Sequence, residues 1–144
     1  MKQFLILLAV LGLATACASY SSWKAPSAHL HERKQFYVES ELADGHNLHV
    51  LIADQLRAMG YNATSGYLTM LPKEADTIVS YQSRWTWDFS TYLIELDMEI
   101  RDAKTDKVLA TVSYHRPGVG GTSTEDLIKR VLTEIIGAKK PAPK

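Results

Sequence analysis

Apolar positions recur along the chain with two distinct periods. Between residues 92 and 101 they alternate: Tyr92, Ile94, Leu96, Met98 and Ile100 point one way, and Glu95, Asp97, Glu99 and Arg101 the other. Successive side chains of a strand take opposite faces, so this pattern predicts a strand with one dry and one wet face. Over residues 76–87, Val79, Tyr81, Trp85 and Trp87 share a face opposite Ser80, Gln82, Arg84 and Thr86. Val108, Ala110, Val112 and Tyr114 repeat the pattern over residues 108–115, and the aromatic, β-branched run at 35–40 gives another strand, with Phe36 and Val38 on one face. Elsewhere the period is helical. Leu48, Leu51, Ile52, Gln55, Leu56 and Met59 fall on one helix face, broken only by Gln55, and Gly60 is placed to end the helix. Leu127, Ile128, Val131, Leu132 and Ile135 form a second stripe, stopped by Gly137 and preceded by the capping spacings Thr122-x-x-Glu125 and Ser123-x-x-Asp126.

The predicted order over residues 35–137 is β-α-β-β-β-α. The economical packing is an α+β two-layer sandwich: a mixed, mostly antiparallel four-stranded sheet with both helices on one face. Asp88-Phe89-Ser90 supplies one turn, and residues 102–107 a polar hairpin connection. Residues 17–34 show no sustained period and contain Pro26, which predicts a lipidated N-terminus and flexible tether. Extended, it would span about 55 Å. Residues 138–144 read as a disordered, solvated tail.

Residues 1–17 follow another logic. Lys2 precedes an uncharged, mostly apolar run from Phe4 to Leu13, then Ala14-Thr15-Ala16 and Cys17, the sole cysteine. A charged start, a short apolar stretch and small residues predict an export signal over residues 1–16. The run is too short for a permanent span, which needs about 20 apolar residues. Ala14-x-Ala16 fits ordinary signal peptidase. Leu13-Ala14-Thr15-Ala16-Cys17 also resembles the lipobox of bacterial lipoproteins, whose cysteine becomes the acylated first residue; Ala14 stands where that family most often has leucine. A lone thiol at a mature N-terminus in an oxidising compartment is the awkward alternative, so Cys17 is the expected lipidation site. In lipoproteins of enteric-type bacteria, an aspartate after the cysteine retains the protein at the inner membrane. By that resemblance, Ala18 implies the outer membrane, periplasmic face.

Charge and composition remove several function classes. Lys and Arg number 16 and Asp and Glu 16, so there is no electrostatic case for nucleic acid. One cysteine permits neither an internal disulfide nor zinc-finger spacing. There is no Gly-x-Ser-x-Gly elbow, and His115 beside Arg116 has no base partner in sequence. Glu95, Asp97 and Glu99 lie on the wet face, whereas a general acid needs a partly apolar pocket. No catalytic residue and no cofactor are therefore expected.

Three constellations remain. His29, His31, His46 and His49 read as surface histidines rather than metal ligands, since a pair in a tether has nothing to orient it. Residues 118–123, Gly-Val-Gly-Gly-Thr-Ser, join a strand to a helix start but lack the lysine of a phosphate loop. Trp85, Trp87 and Phe89 are the densest aromatic cluster. Trp85 is expected in the core, and Trp87 with Phe89 at a surface for a protein partner.

With these elements in view, the chain resembles a family of small bacterial lipoproteins of undefined function, related in fold to the amino-terminal domain of TolB. The resemblance rests on the extended aromatic start, Leu56-Arg57-Ala58-Met59-Gly60-Tyr61, Ala75-Asp76-Thr77-Ile78-Val79-Ser80-Tyr81, the long alternating strand, and the final helix, over residues 35–137. It implies a periplasmic adaptor or envelope accessory and carries over no catalytic residue. The expected protein is an outer-membrane-anchored, non-enzymatic lipoprotein that contacts membrane lipid and an envelope partner. The alternative is a periplasmic lipoprotein that binds a small ligand, metal or anion.

Overall fold

The alternating segments pair into one mixed sheet of six strands. A computed structural model describes residues 18–117 and 121–137. The strands are β1 (Ser19–Lys24), β2 (Gln35–Glu39), β3 (Asn62–Gly66), β4 (Thr77–Asp88), β5 (Ser90–Asp102) and β6 (Val108–His115); the helices are α1 (Leu48–Ala58) and α2 (Thr124–Ile135). Short 3-10 turns lie at Leu30–Glu32 and Leu68–Met70. The strand order is β1-β6-β5-β4-β2-β3. β4, β5 and β6 form an antiparallel meander, β1 joins β6 antiparallel, and β2 runs parallel to both β3 and β4. The α+β class stands; the four-stranded sheet is corrected to six strands.

The two added strands are the outer ones, and each escaped the periodic reading for a physical reason. Ser-Tyr-Ser-Ser-Trp-Lys of β1 is exposed everywhere but the half-buried Tyr20. It is held by backbone pairing with β6 from Ser19↔His115 to Lys24↔Ala110, which leaves no hydrophobic signature. The tether expected over residues 17–34 is thus corrected from Ser19 onward. Ala25, Ala28 and Leu30 are buried, the Ala25 N–H donates to the Leu109 carbonyl at 2.8 Å, and Arg33 Nη1 meets Asp102 Oδ2 at 2.8 Å. In β3, only Ala63 is buried. Its presence makes β2-α1-β3 the crossover unit, where the sequence had led α1 straight to β4.

Both helices feed one buried cluster. Leu48, Ile52 and Leu56 of α1 and Ile128, Val131 and Leu132 of α2 meet Val38, Val79, Leu96 and Ile100 of the sheet. Each such side chain contributes roughly 1.5–3 kcal/mol when fully buried. The segment after β3 covers a second, smaller buried patch. Tyr37 is buried and donates its hydroxyl to the Tyr67 carbonyl at 2.7 Å. A Cβ at position 66 would lie 2.8 Å from that hydroxyl, so Gly66 is what lets Tyr37 fit.

One end of the sheet is uneven. β2 pairs with β4 only as far as Val38↔Val79, and β6 with β5 only as far as His115↔Glu95, whereas β4 and β5 stay paired to Asp88↔Ser90. The β4–β5 hairpin therefore projects beyond its neighbours. A bulge interrupts it, Arg84 pairing with Glu95 but Trp85 with Leu93. Beyond the bulge, Leu93 is the buried residue, which corrects the expected inward facing of Tyr92 and Ile94.

Candidate functional site

The projecting hairpin ends in two aromatic rings. Asp88 pairs with Ser90, so Phe89 alone makes the turn, at φ 57°. A bulky residue in the left-handed region is an outlier, costing about 1–2 kcal/mol. Phe89 is 95% and Trp87 72% exposed, with ring centroids 6.3 Å apart. Trp85 behaves differently. It packs against the core, stacks on the His46 ring at 4.0 Å, and donates its indole N–H to Ser83 Oγ at 3.2 Å. At the hairpin base Arg84 pairs with Glu95 at 2.5 Å, and the Arg116 guanidinium lies 5.6 Å from the centre of the Tyr92 ring.

Beside Trp85 lies a polar cluster that sequence reasoning missed. The side chain of Asp44 is fully buried. Its carboxylate accepts from the Tyr81 hydroxyl at 2.5 Å and from the N–H groups of Leu48 at 2.6 Å and His46 at 2.9 Å, with His49 Nδ1 at 3.4 Å. Burial alone would raise its pKa, but these hydrogen bonds outweigh it and hold the carboxyl below its ordinary value. The Tyr81 hydroxyl is pushed up by burial and then by Asp44, and stays protonated. Asn47 precedes α1 at φ 54° and makes no side-chain cap, so Asp44 does the capping from further back. An aspartate four residues before the first apolar position of the helix was the available signal.

The four histidines fall into two pairs with different neighbours. His46 and His49 belong to the Asp44 cluster, whereas His29 and His31 flank Glu32 on the first 3-10 turn, at 3.8 and 3.5 Å. Among the described residues, no group of three or more His, Cys, Asp and Glu is placed to hold a metal. Ser123 caps α2, its Oγ accepting the Asp126 N–H at 3.1 Å, as the capping spacing predicts. Cys17, the export signal, Gly118–Gly120 and the tail at 138–144 lie outside the described residues.

Beyond the part covered by the segment after β3, the sheet face away from the helices is open, with a cavity of about 860 Å³. Trp23 and Leu42 line it, 52% and 91% exposed, together with Glu39, Glu41, Asp97 and Glu99. Arg101 lies 3.2 Å from Glu39 and 3.5 Å from Glu99. Trp23 at the β1 edge and Leu42 after β2 lie at its two sides, with Asp97 and Glu99 of β5 between them, a surface suited to non-covalent recognition.

No family model and no curated protein matches the chain. Among solved structures it is similar to the PelC dodecamer from Paraburkholderia phytofirmans, at 17% identity and a TM-score of 0.62, over 83% of this chain and 99% of that one. A point variant of the same PelC dodecamer gives 18% identity and a TM-score of 0.60, over 88% and 100% of the two chains. At this identity the likeness is one of fold.

Proposed function

We propose that the chain is a periplasmic lipoprotein of the outer membrane, attached through Cys17, that acts without catalysis by presenting its open sheet face to protein partners. The carrying observation is the concavity of about 860 Å³, with Trp23 and Leu42 exposed at its two sides and the carboxylates of Asp97 and Glu99 between them. Exposed aromatic and aliphatic anchors interspersed with polar groups offer a protein partner both contact area and specificity. The attachment rests on the leader and lipobox pattern of residues 1–17. PelC of like fold is a dodecamer, which adds copies of this chain to the partners to be sought.

The test has two parts. Mass spectrometry of the mature N-terminal peptide should show acyl chains on Cys17; an unmodified thiol there would reject the attachment. Cross-linking and native mass spectrometry of the purified lipoprotein, with and without envelope extract, should give a complex that Trp23→Ala weakens by about tenfold, the range of a moderate interface anchor. A complex indifferent to both Trp23→Ala and Leu42→Ala would remove this face from the account.

The same concavity supports a second reading, a small ligand held beside Trp23, with Glu99 two strands away in the same row. A rise in Tm with an added ligand, abolished by Trp23→Ala, would favour it over a protein partner.

A further inference from the structure

The pairing register brings two distant parts of the sequence to one end of the sheet. Ser19 pairs with His115, His115 with Glu95, and Glu95 with Arg84, so the four lie in one row across β1, β6, β5 and β4. From that row β1 runs away from the hairpin tip, since it is antiparallel to β6. The chain before Ser19 therefore arrives at the tip end, and Ala18, exposed there, is bonded directly to Cys17. One residue separates Cys17 from the sheet, and the long tether expected from sequence is absent.

We infer that the β4–β5 hairpin tip is a second membrane contact, with Trp87 and Phe89 seated in the lipid interface beside the anchored N-terminus. This rests on the proposed acylation of Cys17. From the shared row, Cys17 reaches at most about 7 Å toward the tip end. Six residues of β5 carry Phe89 on the order of 15–20 Å in the same direction. The tip thus passes the anchor by about 10 Å, the depth to which interfacial apolar groups sink.

The residues fit that place. Tryptophan settles at the headgroup level, where an amphipathic ring meets both phases. Phe89 takes a backbone conformation that favours glycine, yet is 95% exposed, and the ring contact it makes is with Trp87, itself 72% exposed. Little inside the domain offsets that strain; contact with lipid outside it does. Asp88 between the rings and Arg84 at the base are exposed and charged, Arg84 pairing with the half-buried Glu95, which limits the tip to the interface. Trp23 pairs with Thr111, four residues along β1 from Ser19 and away from the tip, so it stays clear of the bilayer. Two attachment points would fix how the sheet stands on the membrane, with the open face turned along it.

The test uses the mature lipoprotein in phosphatidylethanolamine–phosphatidylglycerol vesicles carrying lipids brominated along the acyl chain. One of the 3 tryptophans should enter quenching range, so total tryptophan fluorescence should fall by roughly a third. Trp87→Phe, an exposed substitution that leaves the fold intact, should abolish most of that loss. Flotation and the N-terminal peptide mass are read on the same sample. Protein that floats with acylated Cys17 but shows no quenching at Trp87 overturns this inference alone, and Trp87 emission that instead changes with protein concentration assigns the tip to a protein contact. An unacylated Cys17 overturns the attachment and this inference with it.

Discussion

Asp44 carries more of the local structure than its place in a polar loop announces. With no exposed surface on its side chain, it satisfies the Leu48 and His46 N–H groups and the Tyr81 hydroxyl at once. Asp44→Ala leaves those donors without their acceptor, and should destabilise the fold by about 2–4 kcal/mol, read from urea unfolding. Acid should act through the same residue. The folded-state pKa of Asp44 is lowered, as is that of Asp102, which accepts from the Thr105 N–H and Arg33. A depressed carboxyl contributes its full stability above the unfolded value, about 3.9, and loses it as pH falls below that toward the folded value. Unfolding free energy should therefore drop below about pH 4, and less steeply in Asp44→Asn than in the parent. At the hairpin tip the sign reverses: Phe89→Gly should stabilise by about 1 kcal/mol, because it relieves the left-handed turn and removes no buried surface. Asp44 was hard to read in the sequence because its partner Tyr81 is remote, whereas Ser123 and Asp126, three residues apart, declared their cap.

Elements that face the core announced themselves, and elements held by backbone alone did not. α1, α2, β4, β5 and β6 each carry a buried face with the period of their geometry, so their residues were legible. β1 and β3 are edge strands with one half-buried and one buried aliphatic or aromatic anchor, Tyr20 and Ala63, and pair through N–H and C=O groups common to every sequence. The aromatic cluster at 85–89 was visible, but its nearness to the N-terminus depends on three strand registers that no local pattern encodes. β1 supplies a decisive comparison. A tether can be deleted without effect; a paired strand cannot. Removing residues 18–24 uncovers the edge of β6 and takes away the Lys24 Nζ contact to the Ile135 carbonyl. The shortened domain should lose several degrees of Tm and self-associate through the exposed edge, which thermal melts and light scattering would register. An unchanged melt would return residues 18–24 to the role of linker.

Across the whole molecule, charge is balanced in sum and uneven in place. The chain has 16 basic and 16 acidic side chains, yet the open face gathers Glu39, Asp97 and Glu99, with Arg101 beside the first and the last of them. A partner seated on the open face, whether another protein or a second copy, is therefore met by acidic side chains between Trp23 and Leu42. Such charges steer encounter more than they hold the complex, while the apolar contacts set how long it lasts. The two contributions separate under salt. Surface charges interact over about 10 Å at 0.1 M ionic strength and about 3 Å at 1 M. Surface plasmon resonance against the captured partner should show association slowing about tenfold over that range, with dissociation nearly unchanged. Asp97→Asn with Glu99→Gln should reproduce the slow association at low salt, because Asp97 is exposed and Glu99 half-buried on the open side of β5. Trp23→Ala should instead speed dissociation and leave the salt dependence intact. If the charge variants and Trp23→Ala alter the same rate constant, the acidic side chains of β5 and Trp23 do not have these separate roles in one interface.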